Sequence, residues 1–192
     1  TCGLAIDVPE KFAYPLPAVV IAQMLGIAEG RYEDFTRWAD ALVRAAGASG
    51  AERQRYQVEM LQLVQYIAEM AERRRADPGD DLISAVVGAE KGGRIEAAEV
   101  IAYLILLLVA GNETTTNLIG GMVEALLDNP GEIAKLQADP SLLPNAVEEG
   151  LRYCSPVQGL FRNATRDARV ATTVIPKDAP MMVCYAAANR DA

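Results

Sequence analysis

A chain of 192 residues, 51% hydrophobic and 23% charged, has the length and composition of one sizeable folded domain or a large piece of a bigger one. Its net charge of -8 leaves no basic stripe to neutralise phosphates, which argues against general nucleic-acid binding and against an anionic membrane surface as partner. The lack of any histidine removes His-based metal sites, triads and imidazole general bases, and Cys2, Cys154 and Cys184 have no paired spacing that would indicate a disulfide framework.

The opening TCGLAIDVPE has neither a basic n-region nor an apolar h-region. No apolar run approaches the roughly 20 residues that span a bilayer, so a cytoplasmic protein is expected. Pro9, Pro15 and Pro17 limit regular structure at the start. A short helix is predicted from about Pro17 to Leu25, with Gly26 as its C-terminal cap. Glu29 to Ala46 reads as an amphipathic helix with Phe35, Trp38, Ala39, Leu42 and Val43 on one face, and the small-residue loop AAGASG follows. Ala51 to Ala76 predicts a long, highly charged helix whose buried seam is Met60, Leu61, Val64, Ile67, Ala68 and Ala71. ADPGDD breaks it, and Asp81 to Ala89 forms a further helix with Leu82, Ile83, Val86 and Val87 turned inward. EKGGRI is a turn.

The helix predicted from near Glu96 to about Asp128 organises the chain. Ile101 to Gly111 carries no charge, and its apolar residues occupy every side, which predicts burial on all faces. Asn112, Glu113, Thr114, Thr115 and Thr116 follow in mid-helix, where burial makes unpaired polar groups costly. Leu106, Ala110 and Thr114 share a row, with Gly111 and Thr115 beside it. The Thr114 hydroxyl can bond back to the Ala110 carbonyl and loosen the ladder, while Gly111, without a Cβ, lets another group come close. A distorted turn with a small pocket is expected, walled by Ala110 and Gly111 and furnished with Glu113 and Thr114. These groups either serve chemistry or amount to a back-bonded Thr and a Glu paired with a distant Lys or Arg.

Beyond this helix, a short one begins beside Pro130 and stops before Asp139-Pro140, and another runs from Leu142 to Tyr153 until Ser155-Pro156 ends it. From Val157 the texture changes to β-branched pairs, a Pro-Lys-Asp-Ala-Pro turn and the apolar run Met181–Tyr185, which predicts strands and hairpins. The expected architecture is mainly α with a small C-terminal β region: one incomplete domain over 1–192, helical over 9–154 and strand-rich over 157–188.

The ordered motifs resemble one family. Ala110-Gly111-Asn112-Glu113-Thr114 is similar to the Ala/Gly-Gly-x-Asp/Glu-Thr pattern in the long distal helix of the cytochrome P-450 enzymes, the haem-thiolate monooxygenases. Glu149-Gly150-Leu151-Arg152 resembles the family's Glu-x-x-Arg pair, and Ser155-Pro156-Val157 follows it as in bacterial members. Arg162 stands where the family places an arginine on a haem propionate, and VIPKDAPMMVCYAAANRDA resembles the Ile-Pro-x-Gly-x-x-Val…Ala-Ala-Asn-Arg-Asp run. FAYPLPAVVIAQMLGI is similar to the Pro-Leu-Pro-x-x-Val-Ile-x-x-Leu-Gly segment. Thr173 and Asp178, where relatives have Gly, are small departures in turns.

The resemblance implies the central part of the P-450 fold, haem as cofactor, and insertion of one oxygen atom into a small organic substrate. Electrons would come from NAD(P)H through a ferredoxin-type partner. Ala110 and Gly111 would form the oxygen-binding groove. Thr114 would hydrogen-bond the bound dioxygen species and a water, and Glu113 would connect that water to bulk solvent. Leu106, Val109, Val157, Gly159 and Leu160 would line the substrate pocket, or else are ordinary core. Glu149 and Arg152 would form a buried structural pair. Arg162 would hold a propionate, or else is a surface charge beside Arg166 and Arg169.

The family's cysteine ligand sits in a Gly-bounded loop that this chain does not contain, so an internal fragment without a metal ligand is expected, inactive alone. The rival reading is a non-catalytic helical module that has lost haem and binds small molecules or proteins.

Overall fold

The computed structural model describes residues 5–45 and 47–191, less the side chain of Val43. The readings placed on Cys2, on Val43 and on Ala46 as a helix end lie outside these described residues. The chain divides into two compact units, Thr1–Thr116 and Asn117–Ala192.

In the first unit a π-helical turn at Pro9–Ala13 leads into α1, Pro15–Met24. The helix starts two residues before the predicted Pro17 because Pro15 occupies a first-turn position, where its missing N–H has no helical partner to lose. Leu25 caps α1, and Gly26 turns the chain away at φ 74°, a left-handed conformation that glycine adopts without a Cβ penalty. A 3₁₀ turn, Glu29–Arg31, replaces the start of the predicted second helix, and α2 runs Tyr32–Arg44. Phe35, Trp38 and Ala39 are buried as the amphipathic pattern requires. The Trp38 indole N–H donates to Gln62 Oε1 at 3.0 Å. The Arg31 guanidinium lies 5.3 Å and 5.2 Å from the Trp38 and Tyr66 rings.

The third helix, α3 (Gly50–Ala76), buries Tyr56, Leu63, Ile67, Met70 and Ala71. The predicted seam is therefore corrected: Leu61 and Val64 are exposed, and Met60 and Ala68 only flank the buried row. The helix carries two apolar rows, and only the one facing α2 and α4 meets partners. Helix α4, Leu82–Lys91, buries Ile83 and Val87. Its N-cap Asp81 accepts from the Ser84 backbone N–H at 2.8 Å and from Arg74 Nε at 2.6 Å. The Asp81 carboxylate also lies where a side chain at Gly26 would stand. One buried acid thus ties the loop after α1, the end of α3 and the start of α4 together.

Helix α5, Ala97–Asp128, spans the predicted length in one unbroken α-helix. Burial on all faces is not found. Val100, Leu104, Leu108 and Asn112 form one buried row, whereas Tyr103 and Leu106 are exposed, because the described elements of this unit pack on one side of the helix only. The expectation of no membrane-length run is also corrected. By length and composition alone α5 is long and apolar enough to cross a membrane, because Glu113 is the one charge between Ile101 and Gly121. Val100, Leu104 and Leu108 of this helix belong to the buried cluster built with α1–α4.

The second unit holds the end of α5, then α6 (Pro130–Ala138), a 3₁₀ turn and α7 (Leu143–Cys154). Strand β1, Gly159–Asn163, pairs antiparallel with β4, Pro180–Cys184, in the register Gly159↔Cys184 to Asn163↔Pro180. Strands β2, Ala168–Val170, and β3, Thr173–Ile175, form a second hairpin. The apolar run predicted to stay extended through Tyr185 ends at Cys184, and Tyr185 opens the short helix α8, Tyr185–Ala188. Residues beyond α8 close α7: Asn189 Nδ2 donates to Ser155 Oγ at 2.9 Å, and Arg190 Nη2 donates to the Tyr153 carbonyl at 3.0 Å. Ser155 sits in the left-handed region at φ 45°, ending the helix where the sequence places its stop.

Candidate functional site

The Thr114 hydroxyl donates to the Ala110 carbonyl at 2.7 Å, the back-bond expected from the sequence. The helix stays α-helical through Ala110–Thr116. The carbonyl has two lone pairs and takes the hydroxyl without giving up its ladder bond. Gly111 faces the first unit's core. Its hydrogens point into the core, where a Cβ would stand 2.6 Å from Ile21 Cδ1 and 3.1 Å from Ile21 Cγ1. The glycine lets α1 come close to α5. Ala110, Glu113 and Leu106 lie on the exposed side of the helix, with Val109 and Thr114 half-buried at its edges. Glu113 takes part in no ion pair among the described residues.

Of the polar residues in this turn, Asn112 and Thr116 are the ones whose side-chain oxygens are buried. Asn112 is 2% exposed, and both its Oδ1 and the Thr116 Oγ1 are buried without a hydrogen-bond partner among the described residues. Asn112 falls four residues after Leu108 in the row Val100–Leu104–Leu108.

The remaining sequence-derived residues belong to the second unit. Arg152 donates twice to Glu149, Nε to Oε2 at 2.7 Å and Nη2 to Oε1 at 2.6 Å, and its Nη1 donates to the Asn189 carbonyl at 2.7 Å. The arginine's hydrogen bonds and charge hold the Glu149 carboxyl below its ordinary range and raise Arg152 in turn. The pair is not buried, contrary to expectation: the side chains are 59% and 47% exposed, since no described element covers them. Arg162 is exposed on β1 and donates from Nη1 to the Phe161 carbonyl at 2.8 Å. Val157 and Gly159 are half-buried and Leu160 is exposed. The five expected pocket residues thus divide between the units, Leu106 and Val109 in the first, Val157, Gly159 and Leu160 in the second.

The donors fit a haem group in part. Arg162 keeps free guanidinium N–H groups suited to a carboxylate, and Thr114 offers a hydroxyl at a half-buried position. Neither of the two described thiols fits the iron. Burial raises the Cys154 thiol pKa, the reverse of what a thiolate ligand requires, and Cys184 is exposed on a two-stranded ribbon. Among the described residues no three His, Cys, Asp or Glu side chains gather as a metal site.

Residues 49–192 match the family model described as Cytochrome P450, and the chain belongs to that family. It is 43% identical over 188 residues to Cytochrome P450 107B1 of Saccharopolyspora erythraea, covering 97% of this chain and 45% of that protein. It is 37% identical to the 6-deoxyerythronolide B hydroxylase of the same organism, covering 97% of this chain and 46% of the relative. The solved structure of Cytochrome P450 CYP109Q5 from Chondromyces apiculatus superposes with a TM-score of 0.85 at 41% identity, covering 97% of this chain and 46% of that one. The chain spans about half the length of the curated relatives it matches. The mainly α architecture with a small C-terminal β region is thereby the central part of the P-450 fold.

Proposed function

We propose that the chain is the central portion of a cytoplasmic, bacterial-type haem monooxygenase, which inserts one atom of dioxygen into a small organic substrate. Its electrons come from NAD(P)H through a ferredoxin-type donor. The observation that carries this reading is the Thr114 hydroxyl at the edge of α5, bonded to the Ala110 carbonyl at 2.7 Å with an exposed Glu113 beside it. Haem, when bound, supplies the oxygen-activating chemistry. The protein's share is proton supply. Thr114 Oγ1 holds a proton that it can redirect from Ala110 to a partner on its open side, and Glu113, in contact with solvent, is an acid that is replenished. Ala110 is small enough to leave that side free. Leu106 and Val109 on α5, and separately Val157, Gly159 and Leu160 in the second unit, offer apolar contact to a substrate, and Arg162 suits a propionate through its N–H donors. Glu149 and Arg152 close the end of α7 onto the segment around Asn189. The relative named as a 6-deoxyerythronolide B hydroxylase supports a small organic substrate.

The iron ligand is not among the thiols described above, and on that observation alone a non-catalytic binding module is the second reading. Thr114→Ala in the complete enzyme separates the two. Haem content is expected to stay unchanged while reducing equivalents drain to hydrogen peroxide. An unchanged ratio of product to NAD(P)H would remove Thr114 from the chemistry.

A further inference from the structure

The polar atoms that the oxidation chemistry does not use lie on the other side of the same turn. Successive helical residues are rotated by about 100°, so Asn112 and Thr116, each two residues from Thr114, project on the flank away from it and, four apart, share one face. Asn112 is 2% exposed and continues the apolar row of Val100, Leu104 and Leu108, yet its amide oxygen and the Thr116 hydroxyl are both buried with no partner among the described residues. Buried acceptors of this kind are nearly always satisfied in folded proteins, by protein or by ordered water. Thr114 shows the alternative open to a helical threonine, since its hydroxyl bonds back to the carbonyl four residues earlier. Thr116 does not take it, so its hydroxyl is free to turn outward.

There is room for a small molecule beside Thr116. It lines a cleft of about 790 Å³ within the first unit, together with Tyr14, Asp40 and Arg44. Those three side chains are engaged with each other: Tyr14 OH and Arg44 Nε both donate to Asp40 Oδ1, at 2.5 Å and 2.6 Å. They leave the Thr116 and Asn112 atoms to find a separate partner. A molecule that satisfies both must donate to an amide oxygen and exchange a hydrogen bond with a hydroxyl, must be uncharged, and must fit next to a well-packed apolar row. Water meets all of these requirements, and two polar partners are the minimum it needs.

We propose that Asn112 Oδ1 and Thr116 Oγ1 form an internal water site on the core-facing flank of α5, reached from the cleft beside Tyr14 and Asp40. The water donates to Asn112 Oδ1 and bonds the Thr116 hydroxyl. It satisfies the one amide that interrupts the apolar row, directly behind the turn that carries Thr114. The site does not depend on the monooxygenase reading, and its test needs no haem.

A crystal structure of this chain that resolves ordered solvent is expected to show a water about 2.7–3.2 Å from both atoms. A Thr116 hydroxyl bonded directly to the Asn112 side chain or carbonyl, with no such water, overturns the proposal. Water-to-amide cross-relaxation NMR on the unmutated chain gives an independent reading: a long-lived water contact to the Asn112 side-chain NH₂ is expected, and its absence counts against the site. The variants Asn112→Leu and Thr116→Val each strand the water with one partner. Each is expected to lower the urea midpoint, and the double variant to lower it no further than the worse single one. Additive losses would contradict a shared water.

Discussion

Substituting Gly111 by alanine sets two effects of opposite sign against each other. In an ordinary helix interior the change is stabilising by about 1 kcal/mol, because glycine loses the most backbone freedom on folding. Here the new Cβ would stand 2.6 Å from Ile21 Cδ1 and 3.1 Å from Cγ1, well inside normal contact distance. Ile21 is packed against the buried cluster of α1–α5, so its retreat pushes on neighbours that are themselves in contact. Overpacking of this kind costs roughly 1–3 kcal/mol. The expected net result is a loss of about 1 kcal/mol. Ile21→Val supplies the control, since it removes the Cδ1 atom that makes the closest contact, at its own cost of roughly 0.5–1.5 kcal/mol. In the valine background Gly111→Ala should be close to neutral, giving a coupling of about 1 kcal/mol between the two sites. Urea unfolding followed by far-UV circular dichroism measures all four variants. Stabilisation by Gly111→Ala in the parent background, or the same change in both backgrounds, would show that Gly111 is not where α1 presses on α5.

The Asp81 carboxyl is pushed up by burial, but the Ser84 backbone and hydroxyl groups and the Arg74 guanidinium outweigh this and hold it below its ordinary 3.8. The stability it contributes is therefore complete above that ordinary value and is lost as pH falls through the lowered folded value. Asp81→Asn should flatten this acid limb in a pH series of urea midpoints, and Asp81→Ala should cost about 2 kcal/mol at neutral pH by removing an N-cap and stranding Arg74. For the exposed pair on α7, Glu149→Gln should leave the urea midpoint almost unchanged. Arg152→Met should lower it, because it also loses the bond to the Asn189 carbonyl. Equal effects of these two variants would mean that the tail contact is idle.

Much of the fold was legible because its boundaries are chemical. Pro130 opens α6, Gly26 follows α1, and Ser155-Pro156 ends α7, each through its own backbone requirement, whereas Asp81, expected as the first residue of α4, is its N-cap. Burial was less legible. Apolar periodicity says which residues can be buried, whereas the partner decides which are. Hence α3 buries Leu63 and Met70 rather than Leu61 and Val64, and α5 buries one row rather than every face. The candidate site divides the same way. The Thr114–Ala110 bond is local and was read from spacing, while the Ile21–Gly111 approach joins residues distant in sequence and leaves no local pattern. The burial expected of Glu149 and Arg152 came from the resemblance alone, and no local pattern could test it.

Neither Cys154 nor Cys184 offers a thiolate suited to the iron. Adding haemin to residues 1–192, reducing it and exposing it to carbon monoxide tests this directly. A half-buried Cys154 with a raised thiol pKa and an exposed Cys184 should not yield the strongly red-shifted Soret band of a thiolate-bound ferrous carbonyl. Appearance of that band, retained in a Cys2→Ser variant, would show that Cys154 or Cys184 binds the iron after all.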